Sequence, residues 1–117
     1  MGLEKNFQAE ALKYLNSLPG CRAENVSGNA KQSGRPDING CYRGRMFKVE
    51  LKVPDNKNTA SKKQSLELNR WIRAGAAVGV IYSLESLRDM IFAMSANVQR
   101  QRYEVCESNG CKSWYIV

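Results

Sequence analysis

The residues best suited to chemistry lie in the middle of the chain: Asp37, and further on the run Phe47-Lys48-Val49-Glu50-Leu51-Lys52. If Asp37 starts one strand and Glu50-Leu51-Lys52 sits on its hairpin neighbour, two carboxylates and an ammonium gather at one end of a sheet. Phosphodiester hydrolysis needs such a set, because a divalent ion held by oxygen ligands polarises the phosphate and lowers the pKa of an attacking water. A lysine beside it can orient that water or offset developing charge. The sequence contains no histidine. That removes the usual general base and the Ser-His and Cys-His nucleophiles, so any hydrolysis rests on carboxylates, lysine and metal. Acidic-x-Lys alone has a plainer reading, in which Lys48, Glu50 and Lys52 are the solvated face of a half-buried strand.

The elements that would position these groups follow from periodicity. Leu3, Phe7, Ala11, Tyr14, Leu15 and Leu18 recur at helical spacing, and Pro19-Gly20 ends that helix. Residues 21–26 read as a first, mostly polar strand, followed by an exposed loop through SGNAKQSGRP. A hairpin comes next: a short strand over 37–42, a tight turn at Arg43-Gly44-Arg45, and a returning strand over 46–53. Strand alternation puts Phe47, Val49, Leu51 and Val53 on one face and Lys48, Glu50 and Lys52 on the other. The segment 55–59 is polar, without periodicity, and is expected to be mobile.

A second helix opens with Ser61 and Gln64 spaced as a capping box, carries Leu68, Trp71 and Ile72, and ends at Gly75. Residues 76–82 form a continuous apolar run, expected as a doubly buried strand in parallel pairing. Ser83 can cap a third helix whose Leu84, Leu87, Met90, Ile91 and Met94 face inward. Strands over 103–107 and 112–117, joined through Asn109-Gly110, close the chain. The expectation is an α/β fold: a central mixed sheet flanked by helices, an α-β-β-β-α-β core plus a C-terminal helix and hairpin, in one domain over 1–117.

Composition bounds the partners. At 117 residues and 43% hydrophobic, the chain can bury one core. Lys and Arg number 18 against 11 Asp and Glu, a formal charge of +7, and they are scattered along the chain, which suits nucleic acid better than a membrane surface. No stretch approaches the length of a membrane-spanning helix and no signal-peptide region opens the sequence, so the expectation is a soluble, intracellular, cytoplasmic protein. The four cysteines lack the density of a disulfide scaffold and read as reduced thiols. Cys106 and Cys111 could be half of a zinc site, but Cys21 and Cys41 form no matching close pair.

Gly34-Arg35-Pro36-Asp37-Ile38, the run 47–52, Ser61-x-x-Gln64, Gly75-Ala76 and Gly79-Val80 with Ser83 together resemble the VRR-NUC family of PD-(D/E)xK nucleases. The resemblance runs from about Glu4 to Leu87. It implies a restriction-endonuclease-like core, metal-dependent cleavage of DNA and, for stand-alone members, a homodimer acting on branched DNA such as Holliday junctions. Carried over residue by residue, Asp37, Glu50 and the Leu51 carbonyl bind Mg²⁺ or Mn²⁺, Lys52 is the catalytic lysine, and Gln64 supports the site. Glu4 matches the glutamate that family members carry near the start of the first helix, although any first helical turn favours an acidic residue. Residues 106–117 lie outside the resemblance, as an addition for dimerisation or an edge of the sheet.

Lys31, Arg35, Arg43, Arg45, Lys57, Lys62 and Lys63 fall in loops or at element ends around this expected site, where they could meet phosphates. No base-reading module accompanies them, so shape is a better basis for recognition than sequence. No small-molecule cofactor and no membrane partner is expected. Trp114, Tyr115 and Ile116, or the second helix around Trp71, could supply apolar surface for a dimer. A sequence-specific restriction-type nuclease and a non-catalytic DNA-binding module are the competing readings.

Overall fold

The computed structural model describes residues 2–26, 36–54 and 62–117, the side chains of 2–4 excepted. The elements are α1 (Gly2–Ser17), β1 (Cys21–Asn25), β2 (Ile38–Tyr42), β3 (Arg45–Leu51), α2 (Lys62–Arg73), β4 (Ala77–Ile81), α3 (Leu84–Ser95), β5 (Arg102–Cys106) and β6 (Lys112–Ile116). This is the expected order. The strands form a six-stranded sheet in the order β1-β2-β3-β4-β6-β5. β3 and β4 pair in parallel, with Glu50 opposite Val80, and the other pairings are antiparallel. The sheet is therefore mixed, and the fold is α/β with helices over both faces.

Alternation along β3 divides the core in two. Phe47, Val49 and Leu51 point to the face covered by α1 and α3, where Ala11, Leu15, Ile38, Ile81, Leu87 and Met90 are all buried. The opposite face meets α2 through Leu68, Val78 and Val80, with Trp71, Ile72, Tyr82 and Trp114 packed around them. Lys48, Glu50 and Lys52 point to that second face at 4%, 4% and 6% exposure. The solvated-face reading of β3 is thereby overturned, because α2 lies over these side chains.

Local chemistry explains the boundaries. Arg43 and Gly44 both take positive φ, 50° and 87°, the signature of a two-residue type I′ hairpin, so the turn is one residue shorter than the sequence suggests. At the end of α2, Gly75 at φ 99° lets its own N–H reach the Ile72 carbonyl and the Ala76 N–H reach the Trp71 carbonyl, a Schellman closure. Ser83 caps α3 by accepting from the Ser86 N–H at 3.1 Å. β4 is buried at every position, as its apolar run requires.

The C-terminal hairpin is not simply an edge. β6 pairs with β4 inside the sheet and leaves β5 outermost. Tyr115 is 8% exposed and stacks on Tyr103 with ring centroids 5.5 Å apart. It belongs to the core and not to a docking surface. Ser61 and the segments 27–35 and 55–60 lie outside the described residues, and with them the expected capping box, loop and mobile stretch. No described helix is long and apolar enough to cross a membrane.

Candidate active site

The pairing of Ile38 with Val49 places Asp37, one residue back, across from Glu50, one residue on. Asp37 is 6% exposed, and its Oδ2 accepts the Leu51 N–H at 2.9 Å. That bond holds the carboxylate at the end of β3 and fills a main-chain donor that burial would otherwise make costly. On the other flank the Lys52 N–H donates to the Ile81 carbonyl at 2.9 Å, extending the parallel ladder by one residue. The strand end carrying Glu50 and Lys52 is thus pinned from both sides.

α2 closes the set from above. Gln64 donates from Nε2 to Glu50 Oε2 at 2.8 Å and accepts at Oε1 from Lys52 Nζ at 3.2 Å. Lys52 Nζ also lies 3.5 Å from Glu50 Oε2. A side-chain amide suits this position because it offers a donor to the carboxylate and an acceptor to the ammonium. Gln64 is therefore bonded to both charged groups, whatever part Ser61 plays in capping.

Lys48, buried, and the half-buried Trp71, Asn39 and Glu67 extend this polar layer, and none of them was among the expected site residues. Lys48 Nζ donates to Asn39 Oδ1 at 2.9 Å and lies 3.8 Å from the centre of the Trp71 ring. Trp71 is fixed in turn by its Nε1 donating to Glu67 Oε2 at 3.1 Å. A desolvated ammonium over an indole face is a favourable contact. The signal was present in the alternation that groups Lys48 with Glu50 and in the spacing that places Trp71 two turns after Gln64. What was missing was that α2 covers this face. Trp71 is accordingly a core residue.

Other expected residues divide by position. Lys62 and Lys63 are exposed in the first turn of α2, beside Gln64. Arg43 and Arg45 lie at the opposite end of β3, roughly 20 Å from Lys52 by the rise of a strand. They do not neighbour the site, because the hairpin turn points away from the strand end that carries Glu50. Arg43 instead stacks on Tyr42, and Arg45 donates to the Val117 carbonyl, where burial and then Arg100 lower its pKa. Lys31, Arg35, Lys57 and the side chain of Glu4 lie outside the described residues. Past Lys52, a cavity of about 250 Å³ is lined by Asn6, Phe7, Glu10, Val53, Pro54, Tyr82, Ser83 and Leu84. Burial, then the nearby Cys111, raises the Tyr82 phenol above its ordinary pKa.

The donor set fits a hard divalent ion: the carboxylates of Asp37, just before β2, and of Glu50, near the end of β3, with no sulfur or imidazole between them. Among the described residues no three His, Cys, Asp or Glu side chains cluster. The cysteines are free thiols, at Cys21, Cys41, Cys106 and Cys111.

No protein-family model and no curated protein matches the chain. Among solved structures, a VRR_NUC domain aligns with a TM-score of 0.62 at 28% identity, over 76% of this chain and 94% of that one. The shared part takes in nearly all of the solved domain, and it accompanies a mixed sheet whose third strand carries acidic-x-Lys under a covering helix. The chain is a relative of the VRR_NUC domains, with their nuclease-type, restriction-endonuclease-like fold.

Proposed function

We propose that this chain, acting as one domain over 1–117, is a metal-dependent endodeoxyribonuclease of the cell interior that cuts branched DNA, four-way junctions among its substrates. The observation that carries the reading is the hydrogen-bonded set of Glu50, Lys52 and Gln64 at a strand end where Asp37 faces Glu50. Asp37, Glu50 and the Leu51 carbonyl would hold Mg²⁺ or Mn²⁺. When bound, such an ion would polarise the phosphate and lower the pKa of an attacking water.

The chain's own groups have distinct tasks. Asp37 is oriented by the Leu51 N–H and Glu50 by the Gln64 amide, so both carboxylates are set before substrate arrives. Lys52 is kept by Gln64 and Glu50 at the edge of the site, where its ammonium can orient the attacking water or offset charge on the phosphoryl oxygens. Glu4, from the first turn of α1, is the remaining acidic group of this reading.

Branched DNA is favoured over a particular base sequence because the basic residues offer phosphate contacts and no reading helix. Resolution of a four-way junction requires a nick on each of two opposing strands, and a two-fold dimer supplies both sites. Trp114 and Ile116, half-buried beside Ile72 and Asn69, are the apolar surface for that contact.

The test is a cleavage panel of linear duplex, flap, splayed and four-way DNA in Mg²⁺, Mn²⁺ and EDTA, with light scattering on the same samples. Metal-dependent cuts concentrated on the branched substrates, made by a dimer, support the reading. DNA that shifts without being cut makes the chain a binding module. Discrete fragments from linear DNA make it a sequence-specific nuclease, and a monomer that still cuts junctions symmetrically removes the dimer.

A further inference from the structure

The side of α2 that faces away from the sheet has a chemistry of its own. Inward, Gln64, Leu68 and Trp71 meet the sheet. Outward stand Lys62, Lys63, Leu66, Arg70 and Arg73, all exposed. On a helical repeat, positions 62, 66, 70 and 73 follow one line along the axis and 63 lies beside it. The cations therefore make one stripe instead of a scatter.

Among the described residues, little neutralises this stripe. Glu67 Oε1 is 3.7 Å from Arg70 Nη1, but the Arg70 side chain remains 79% exposed in that contact. Exposed pairs of this kind bind weakly, and the other Glu67 oxygen is engaged by Trp71. In the middle of the stripe Leu66 is 57% exposed. A single leucine ringed by cations suits a polyanion with an apolar interior better than it suits a protein surface, which would call for a wider apolar patch. Opened DNA has that character, with phosphates outside and base faces exposed where the stack is interrupted.

We propose that the outer face of α2 is the docking surface for a DNA arm flanking the cleaved bond. Lys62, Lys63, Arg70 and Arg73 take its phosphates, and Leu66 packs on the base face left open at the branch. The inference rests on the nuclease reading, since the same helix supplies Gln64 to the site.

Fluorescence anisotropy in EDTA, where nothing is cut, separates the parts. An Arg70→Gln/Arg73→Gln variant is compared with an Arg88→Gln control on α3, across the sheet, using four-way and linear DNA over a salt series. Each lost phosphate contact lowers the slope of log affinity against log salt by about 0.9, so the double variant should lose roughly 2 and bind about tenfold more weakly at low salt. Leu66→Ser should keep the slope and narrow the preference for four-way over linear DNA by about tenfold. A double variant with the slope of the wild type and of the control overturns the docking surface, and an unchanged preference in Leu66→Ser overturns the wedge. Parallel cleavage in Mg²⁺ keeps the two readings apart. Wild-type protein that binds as described but cuts nothing refutes the nuclease and leaves the surface standing, whereas cleavage with unaltered slopes refutes the surface alone.

Discussion

Asp37 allows structure and chemistry to be tested by one pair of substitutions. Its Oδ2 is the acceptor for the Leu51 N–H at 2.9 Å, and the side chain is buried. Asp37→Ala leaves that N–H without a partner in a water-poor place, which costs about 1–3 kcal/mol. For a chain of 117 residues, each kcal/mol moves the midpoint of thermal unfolding by about 3–5 °C. The alanine variant should therefore melt roughly 3–15 °C lower. Asp37→Asn keeps an acceptor of the same shape and should melt within about 3 °C of wild type. Cleavage should behave differently, because on the proposed reading both changes remove an anionic metal ligand. An ion's stabilisation of transition-state charge amounts to several kcal/mol, so both variants should lose at least about 100-fold in single-turnover rate. Thermal denaturation and single-turnover cleavage on one junction substrate give the two readouts. If the alanine and asparagine variants melt together, the carboxylate does not hold the Leu51 amide. If Asp37→Asn cuts within about tenfold of wild type, Asp37 is no metal ligand, however well placed.

Three further outcomes follow from the same geometry. Lys52→Met, which keeps most of the buried stem volume, should depress turnover by about 100-fold while leaving the metal concentration at half-maximal rate nearly unchanged; a rate equal to wild type would make Lys52 a structural partner of Gln64 only. Gly40→Ala should destabilise by about 1–3 kcal/mol, because a Cβ there would strike the ring of the fully buried Phe47 on the paired strand; an unshifted denaturation midpoint would contradict that packing. Burial, then the neighbouring Cys41, raises the Cys21 thiol pKa. The thiolate is the reactive form, so Cys21 should be alkylated later than the exposed Cys41 and Cys106 near neutral pH and gain on them as pH rises, a ranking that mass spectrometry of partly modified protein would confirm or reverse.

The expected elements with strong local signals were legible at once. The helical stripe of Phe7, Ala11 and Leu15, the all-apolar β4, the Ser83 cap and the alternation of β3 each arise from interactions within a few residues, and the structure has all of them. Boundaries shifted where a single backbone conformation intervened, as at Arg43, which takes the positive φ that shortens the hairpin turn.

Residue types and spacing, read with a family resemblance, determined which groups could share a site. Alternation alone puts Glu50 and Lys52 on one face of β3, and a hairpin alone brings Asp37 opposite. Whether that face met water or protein was beyond any local pattern, since Lys48, Glu50 and Lys52 look the same in either case. The packing of α2 across the sheet settled it, through contacts between residues far apart in sequence: Gln64 with Glu50 and Lys52, and Trp71 with Lys48. The same packing turned Lys62, Lys63, Arg70 and Arg73 outward together, whereas the length of β3 alone keeps Arg43 and Arg45 at the turn end, away from Glu50. Side-chain chemistry is written locally, but burial and the direction of the field around a charge are set by whichever distant element covers it.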